Sequence, residues 1–114
     1  MKTIQSYPET MKTADKYLLT MSPETQKMKD AVDSRLEIKA WCLYEDTNKD
    51  GELQEILAVL TPENETFATN SQTFIRDFLR MVDLFNESGE TVDAIKVVTG
   101  TSKAGRQFIT CTIA

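Results

Sequence analysis

The sequence predicts an α+β fold: a five-stranded OB-like antiparallel barrel with a helix between strands 3 and 4, preceded by an N-terminal helical extension. Three observations lead there. Residues 36–69 hold three β-rich runs separated by turn residues, residues 72–86 carry one broad apolar stripe at helical spacing, and residues 92–114 hold two more β-rich runs. Three strands, a helix and two strands is the element order of the OB barrel. A chain of 114 residues with 40% hydrophobic residues is long enough for one core and too short for two. The expected division is a helical extension over 1–35 and an OB-like domain over 36–114.

The first ten residues, "MKTIQSYPET", are polar and contain Pro8. Because "MKT" recurs at Met11, that methionine is an alternative start, and residues 1–10 are expected to be dispensable. Thr13 is placed to cap a short helix carrying Ala14, Tyr17, Leu18 and Met21. Ser22, Pro23 and Glu24 then read as a second helix start: a hydroxyl that accepts a backbone N–H, a proline suited to the first turn, and an acid at the positive helix end. That helix is expected to reach about Asp33.

The strands follow. In 36–44, Leu36, Ile38, Ala40 and Cys42 alternate with Glu37, Lys39, Trp41 and Leu43. Residues 53–61, "LQEILAVLT", become apolar on both faces toward their end, as in a strand covered on two sides. "TFATN" follows a turn at Pro62 to Glu65. Asn70 or Ser71 caps the helix over 72–86, whose stripe is Phe74, Ile75, Phe78, Met81, Val82 and Phe85, and Gly89 marks its exit. "VDAIKVVT" and "RQFITCTIA" close the chain as a hairpin around "GTSKAG".

The link between the first two strands opens as a calcium loop does, with Asp46, Asn48, Asp50 and Gly51 in D-x-N-x-D-G order. Such a loop needs a bidentate acid at its twelfth position, and counting from Asp46 that position is Leu57. The preceding "LEIKAWCLY" reads as strand, not as the helix an EF-hand requires. Asp, Asn and Gly are also turn residues, which predicts a hairpin turn here and no metal.

Composition narrows the function classes. The chain has no histidine, so Ser-His and Cys-His pairs and the commonest ligand of zinc, copper and iron are missing, and no enzyme or cofactor is expected. Cys42 and Cys111 lie within strands without C-x-x-C spacing, and read as buried free thiols of a reducing compartment. No apolar run approaches the roughly 18 residues of a membrane span, and no basic apolar leader opens the chain. A cytoplasmic protein without membrane contact is therefore expected. The net charge of −5 is unevenly spread: residues 36–69 carry two basic and eight acidic groups, whereas 93–114 carry three basic and one acidic. Polyanions are disfavoured at the first hairpin and tolerated at the last.

The C-terminal "KVVTGTSKAGRQFITCTIA" resembles the last hairpin of small phage-encoded single-stranded DNA-binding proteins of the OB-fold type, in which a Ser-Lys-x-Gly-Arg-like loop leads into a strand with an aromatic residue. The likeness covers mainly 36–114. It implies non-specific binding of single-stranded DNA in phage or mobile-element replication, in the host cytoplasm, with Lys103, Arg106 and Phe108 in the matching positions. The chain departs from that pattern in its acidic first hairpin and in ending on a strand, without a disordered acidic tail.

Single-strand binding requires cations along a groove, and it uses aromatic faces on which bases stack. In 106–113, Gln107, Ile109, Cys111 and Ile113 share one face, leaving Arg106 and Phe108 on the other. The same parity places Trp41 beside Lys39. The expected nucleic-acid-binding residues are Lys39, Trp41, Lys96, Lys103, Arg106 and Phe108. Each also has a structural reading: Trp41 and Phe108 as core, and Lys103 and Arg106 as solvated loop charges. The alternative function is a small acidic phage protein that inhibits or recruits a host protein. The acidic 45–65 region would then face replication or host proteins, and self-association is a further candidate.

Overall fold

A computed structural model describes all residues from 1 to 114. It contains two helices and eight strands in two sheets, and neither sheet closes into a barrel. The strands are β1 (Lys2–Tyr7), β2 (Gln26–Lys27), β3 (Arg35–Glu37), β4 (Ala40–Thr47), β5 (Leu53–Leu60), β6 (Thr66–Thr69), β7 (Ala94–Thr101) and β8 (Gln107–Ile113). The helices are α1 (Thr13–Thr20) and α2 (Gln72–Glu87). One sheet has the order β1-β4-β5-β6-β2 and the other β3-β7-β8. The expected barrel is therefore corrected: β8 pairs only with β7, and the outer edge of β6 takes β2 in parallel.

The strand expected over 36–44 is two strands in two sheets. After Glu37 the chain bends at Ile38 and Lys39, whose amides donate to the carbonyls of Asp93 and Leu60 respectively. The bend shifts the face parity. Leu36 joins Trp41 and Leu43 in the main core, while Ala40 and Cys42 point the other way. β4 and β5 then pair from Ala40↔Leu60 to Thr47↔Leu53. Their turn uses the residues that resemble a calcium loop. Asn48 Oδ1 accepts the amides of Asp50 and Glu52 at 2.9 and 3.0 Å, and Gly51 takes φ +80. One of the oxygens such a loop would offer a cation is thus engaged by the backbone.

The core lies between the two sheets and α2. Ser71 Oγ accepts the Phe74 amide at 3.3 Å to cap α2, and Phe74, Ile75, Phe78 and Val82 are buried in one stripe. Trp41 and Phe78 meet edge to face at 5.2 Å. Gly89, at φ +72, ends the helix, and the Glu90 amide donates to the Phe85 carbonyl. α1 covers the opposite face of β4 and β5, where Leu19 joins Ala40, Cys42, Tyr44, Ala58 and Leu60 in a second cluster. Coverage on both faces explains why residues 40–44 and 57–60 are buried without alternation.

The N-terminal helical extension is the second correction. Residues 2–7 form β1, an antiparallel edge strand on β4, and the helix expected from Ser22 is absent. In its place the chain makes a bend at 22–25, the short β2, and a single 3₁₀ turn, Met28–Ala31, that buries Met28 and Ala31. The expected cap Thr13 is instead the first residue of α1, and Lys12 occupies the cap position without a side-chain bond.

Candidate nucleic-acid interface

An open groove of about 600 Å³ runs past the end of β6, between β5, the Lys27–Lys29 segment and β8. Its floor is aliphatic, with Ile56 and Ile109, and its polar groups include Gln54 and Asn70, which bond to one another at 3.2 Å. Lys27 and Lys29 stand in its lining without a salt-bridge partner, and none of its ten lining residues is acidic. The parallel β2–β6 pairing puts the lysines there, through Gln26↔Phe67 and Lys27↔Ala68. In a chain with 18 acidic and 13 basic residues, a concave lining with two cations and no carboxylate is a local reversal of sign.

β8 connects this groove to the β7–β8 hairpin. Ile109 lines the groove, and Phe108 faces the other side of the strand, as alternation requires. The hairpin tip is ordered by Ser102: its amide donates to the Arg106 carbonyl, its carbonyl accepts the Gly105 amide, and its hydroxyl accepts the Arg106 amide at 3.2 Å. Lys103 and Arg106 project from this tip, exposed and free of ion pairs. On the outer face of the second sheet, Lys96 stands directly between Arg35 and Thr112. Arg35 and Lys96 are like charges in direct opposition, a pairing that costs stability unless an anion offsets it. Glu37, at 2.9 Å from Arg35, is the only carboxylate bonded to either.

Lys96, Lys103, Arg106 and Phe108 are thus gathered on one hairpin, and the other two expected residues lie elsewhere. Trp41 is only 3% exposed and packs in the core, the structural reading of this residue. Lys39 sits at the bend before β4, held by Asp15 at 3.3 Å and by Asn64 Oδ1 at 3.4 Å. Sequence reasoning missed Lys27, Lys29, Gln54, Asn70 and Arg35. Segments far apart in sequence bring the first four together in the groove and set Arg35 beside Lys96 on the other sheet, and no local pattern marks them.

Burial sets the chemistry of the thiols and one phenol. Cys111 is pushed up to about 12 by burial, with the Asp77 carboxylate adding to the rise. Cys42 is raised by burial, opposed by its hydrogen bond with Thr3 and by the Lys16 charge. Tyr44 is raised by burial, then by Asp46 and Cys42. None of the three lines the groove. Comparison of the chain with protein-family models, curated proteins and solved structures finds no match.

Proposed function

We propose that the protein binds single-stranded nucleic acid, with the strand lying in the groove beside β6 and continuing onto the β7–β8 hairpin. The observation that carries this reading is the groove itself, with its aliphatic floor, two unpaired lysines and no carboxylate in an otherwise acidic chain. Lys27 and Lys29 on one side, and Lys103 and Arg106 on the other, provide phosphate contacts. Affinity comes from the counterions these contacts release. Ile56 and Ile109 offer apolar surface to the bases, and the half-exposed ring of Phe108 offers a stacking platform. The Gln54 and Asn70 amides can bond to any base edge, which suits binding without strong sequence preference. The likeness of the hairpin to those of phage single-stranded DNA-binding proteins supports the same assignment and points to replication in a host cytoplasm.

The test is a set of variants titrated with labelled oligothymidine. Lys27→Ala with Lys29→Ala, and separately Lys103→Ala with Arg106→Ala, should each weaken binding, whereas Arg80→Ala on the exposed side of α2 should not. Equal affinity in all three would remove both surfaces from the interface.

A second reading rests on the acidic hairpin between β4 and β5. Glu45 and Glu55 are direct cross-strand partners, with Asp46, Asp50 and Glu52 around the turn. A basic replication or host protein suits this surface, and such binding would weaken with salt.

A further inference from the structure

We infer that the pocket between β1, the start of β4 and the C-terminal half of α2 binds a planar, uncharged heteroaromatic molecule that carries an amino group, of nucleoside size. The pocket encloses about 370 Å³, within the range of small-molecule sites, roughly 300–1,000 Å³. Tyr7 and Trp41 are direct cross-strand partners, so both side chains project to the same face, and both line the pocket. Phe78 fixes the indole from the core side, edge to face. The indole N–H bonds to no group of the chain, yet no fully buried side-chain polar atom is left without a partner. The N–H is therefore not fully enclosed, and in a residue that lines the pocket it is available to donate to a ring nitrogen or carbonyl of a ligand.

The remaining polar groups select the ligand class. Gln5 and Asn86 present amides that can match the donor and acceptor edge of a heterocycle. Glu9 lines the same pocket and accepts from an amino group. No lysine or arginine lines it, and Glu87, Glu90 and Asp93 flank its Asn86, Thr91 and Val92 wall in sequence. A phosphate would meet only like charge there, so a nucleoside is favoured over its nucleotide. The site is independent of the groove. β1 and β6 are separated by β4 and β5, roughly 14 Å at ~4.8 Å per strand, and the two lining sets share no residue.

The experiment is a titration of the full chain with adenosine, following the emission of its single tryptophan and, separately, the melting temperature. Saturable change in emission and a rise in melting temperature are expected. Adenosine monophosphate should bind several-fold more weakly at low salt, and Glu9→Gln should narrow that gap. Asn86→Ala, at an exposed position whose side chain makes no bond to the fold, should weaken adenosine about tenfold, the loss of one hydrogen bond. Lys27→Ala with Lys29→Ala should leave it unchanged, which separates this site from the groove. The inference is overturned if millimolar adenosine moves neither signal, if the monophosphate binds more tightly, or if Asn86→Ala has no effect.

Discussion

The ring of Phe108 lies across Gly100, its cross-strand partner: a β-carbon built at Gly100 would fall 2.5 Å from Phe108 Cζ and 2.7 Å from Cε2. Only a residue without a side chain leaves room for the end of this ring over β7, where Phe108 is half-buried. Gly100→Ala should therefore dislodge the ring, costing about 1 kcal/mol in stability as local overpacking. Binding of oligothymidine should fall with it, toward the ~1–3 kcal/mol loss expected for Phe108→Ala. Urea unfolding and a titration of both variants measure the two effects. A Gly100→Ala protein that binds as wild type would show that Phe108 carries no base.

Removal of cations should act through the salt dependence. Lys103→Ala with Arg106→Ala, and Lys27→Ala with Lys29→Ala, should weaken binding to all single-stranded sequences alike and lower the salt slope by about 0.7 per lost phosphate contact. Asp46→Asn with Asp50→Asn removes repulsion at the opposite sign of charge, and should leave affinity unchanged or higher. Affinity measured across a series of salt concentrations separates these cases.

The two thiols should label slowly in the native state and fast in denaturant, since both are buried. Alkali provides a second reading. The folded state holds the Cys111 proton to about 12 whereas the unfolded state releases it near 9.0, so the unfolded chain binds fewer protons in that window. Stability should then fall as pH rises from 9 toward 12, at about 1.4 kcal/mol per pH unit for this group. The raised Cys42 and Tyr44 add to the same trend. Cys111→Ala should flatten the slope, even though its cavity lowers stability at neutral pH. Denaturant midpoints measured at several pH values decide this.

The elements legible in the sequence are those whose signal is local. The D-x-N-x-D-G turn, the Ser71 cap with its phenylalanine stripe, and the glycine-bounded hairpin each state their geometry within a few residues. β1 carries no such signal because an exposed edge strand has no buried face, so "KTIQSY" shows no apolar alternation. Ser22-Pro23-Glu24 signals a helix, but burial of Met28 and Ala31 against the main core overrides that local preference. The break at Ile38 and Lys39 is also tertiary, set by bonds to Asp93 and Leu60. For the same reason the hairpin part of the candidate surface is local in sequence, whereas the groove is assembled from segments far apart.

Two changes outside the interface test the fold. A chain beginning at Met11 loses β1 and bares the edge of β4, so its denaturant midpoint should drop, where a dispensable tail would leave it unchanged. Asn48→Ala frees two turn amides and should cost about 1–2 kcal/mol, while calcium should leave the melting temperature of the wild type unmoved.

The most direct measurement is the anisotropy of a labelled oligothymidine titrated with wild-type protein at low and at moderate salt. Single-strand binding in the groove predicts saturable binding that weakens as salt rises, with several phosphate contacts in the slope. Because Trp41 is held in the core, its emission should change little as the oligonucleotide saturates. Absence of binding at low salt would contradict the nucleic-acid assignment, and would shift the function to the acidic β4–β5 hairpin and a basic protein partner.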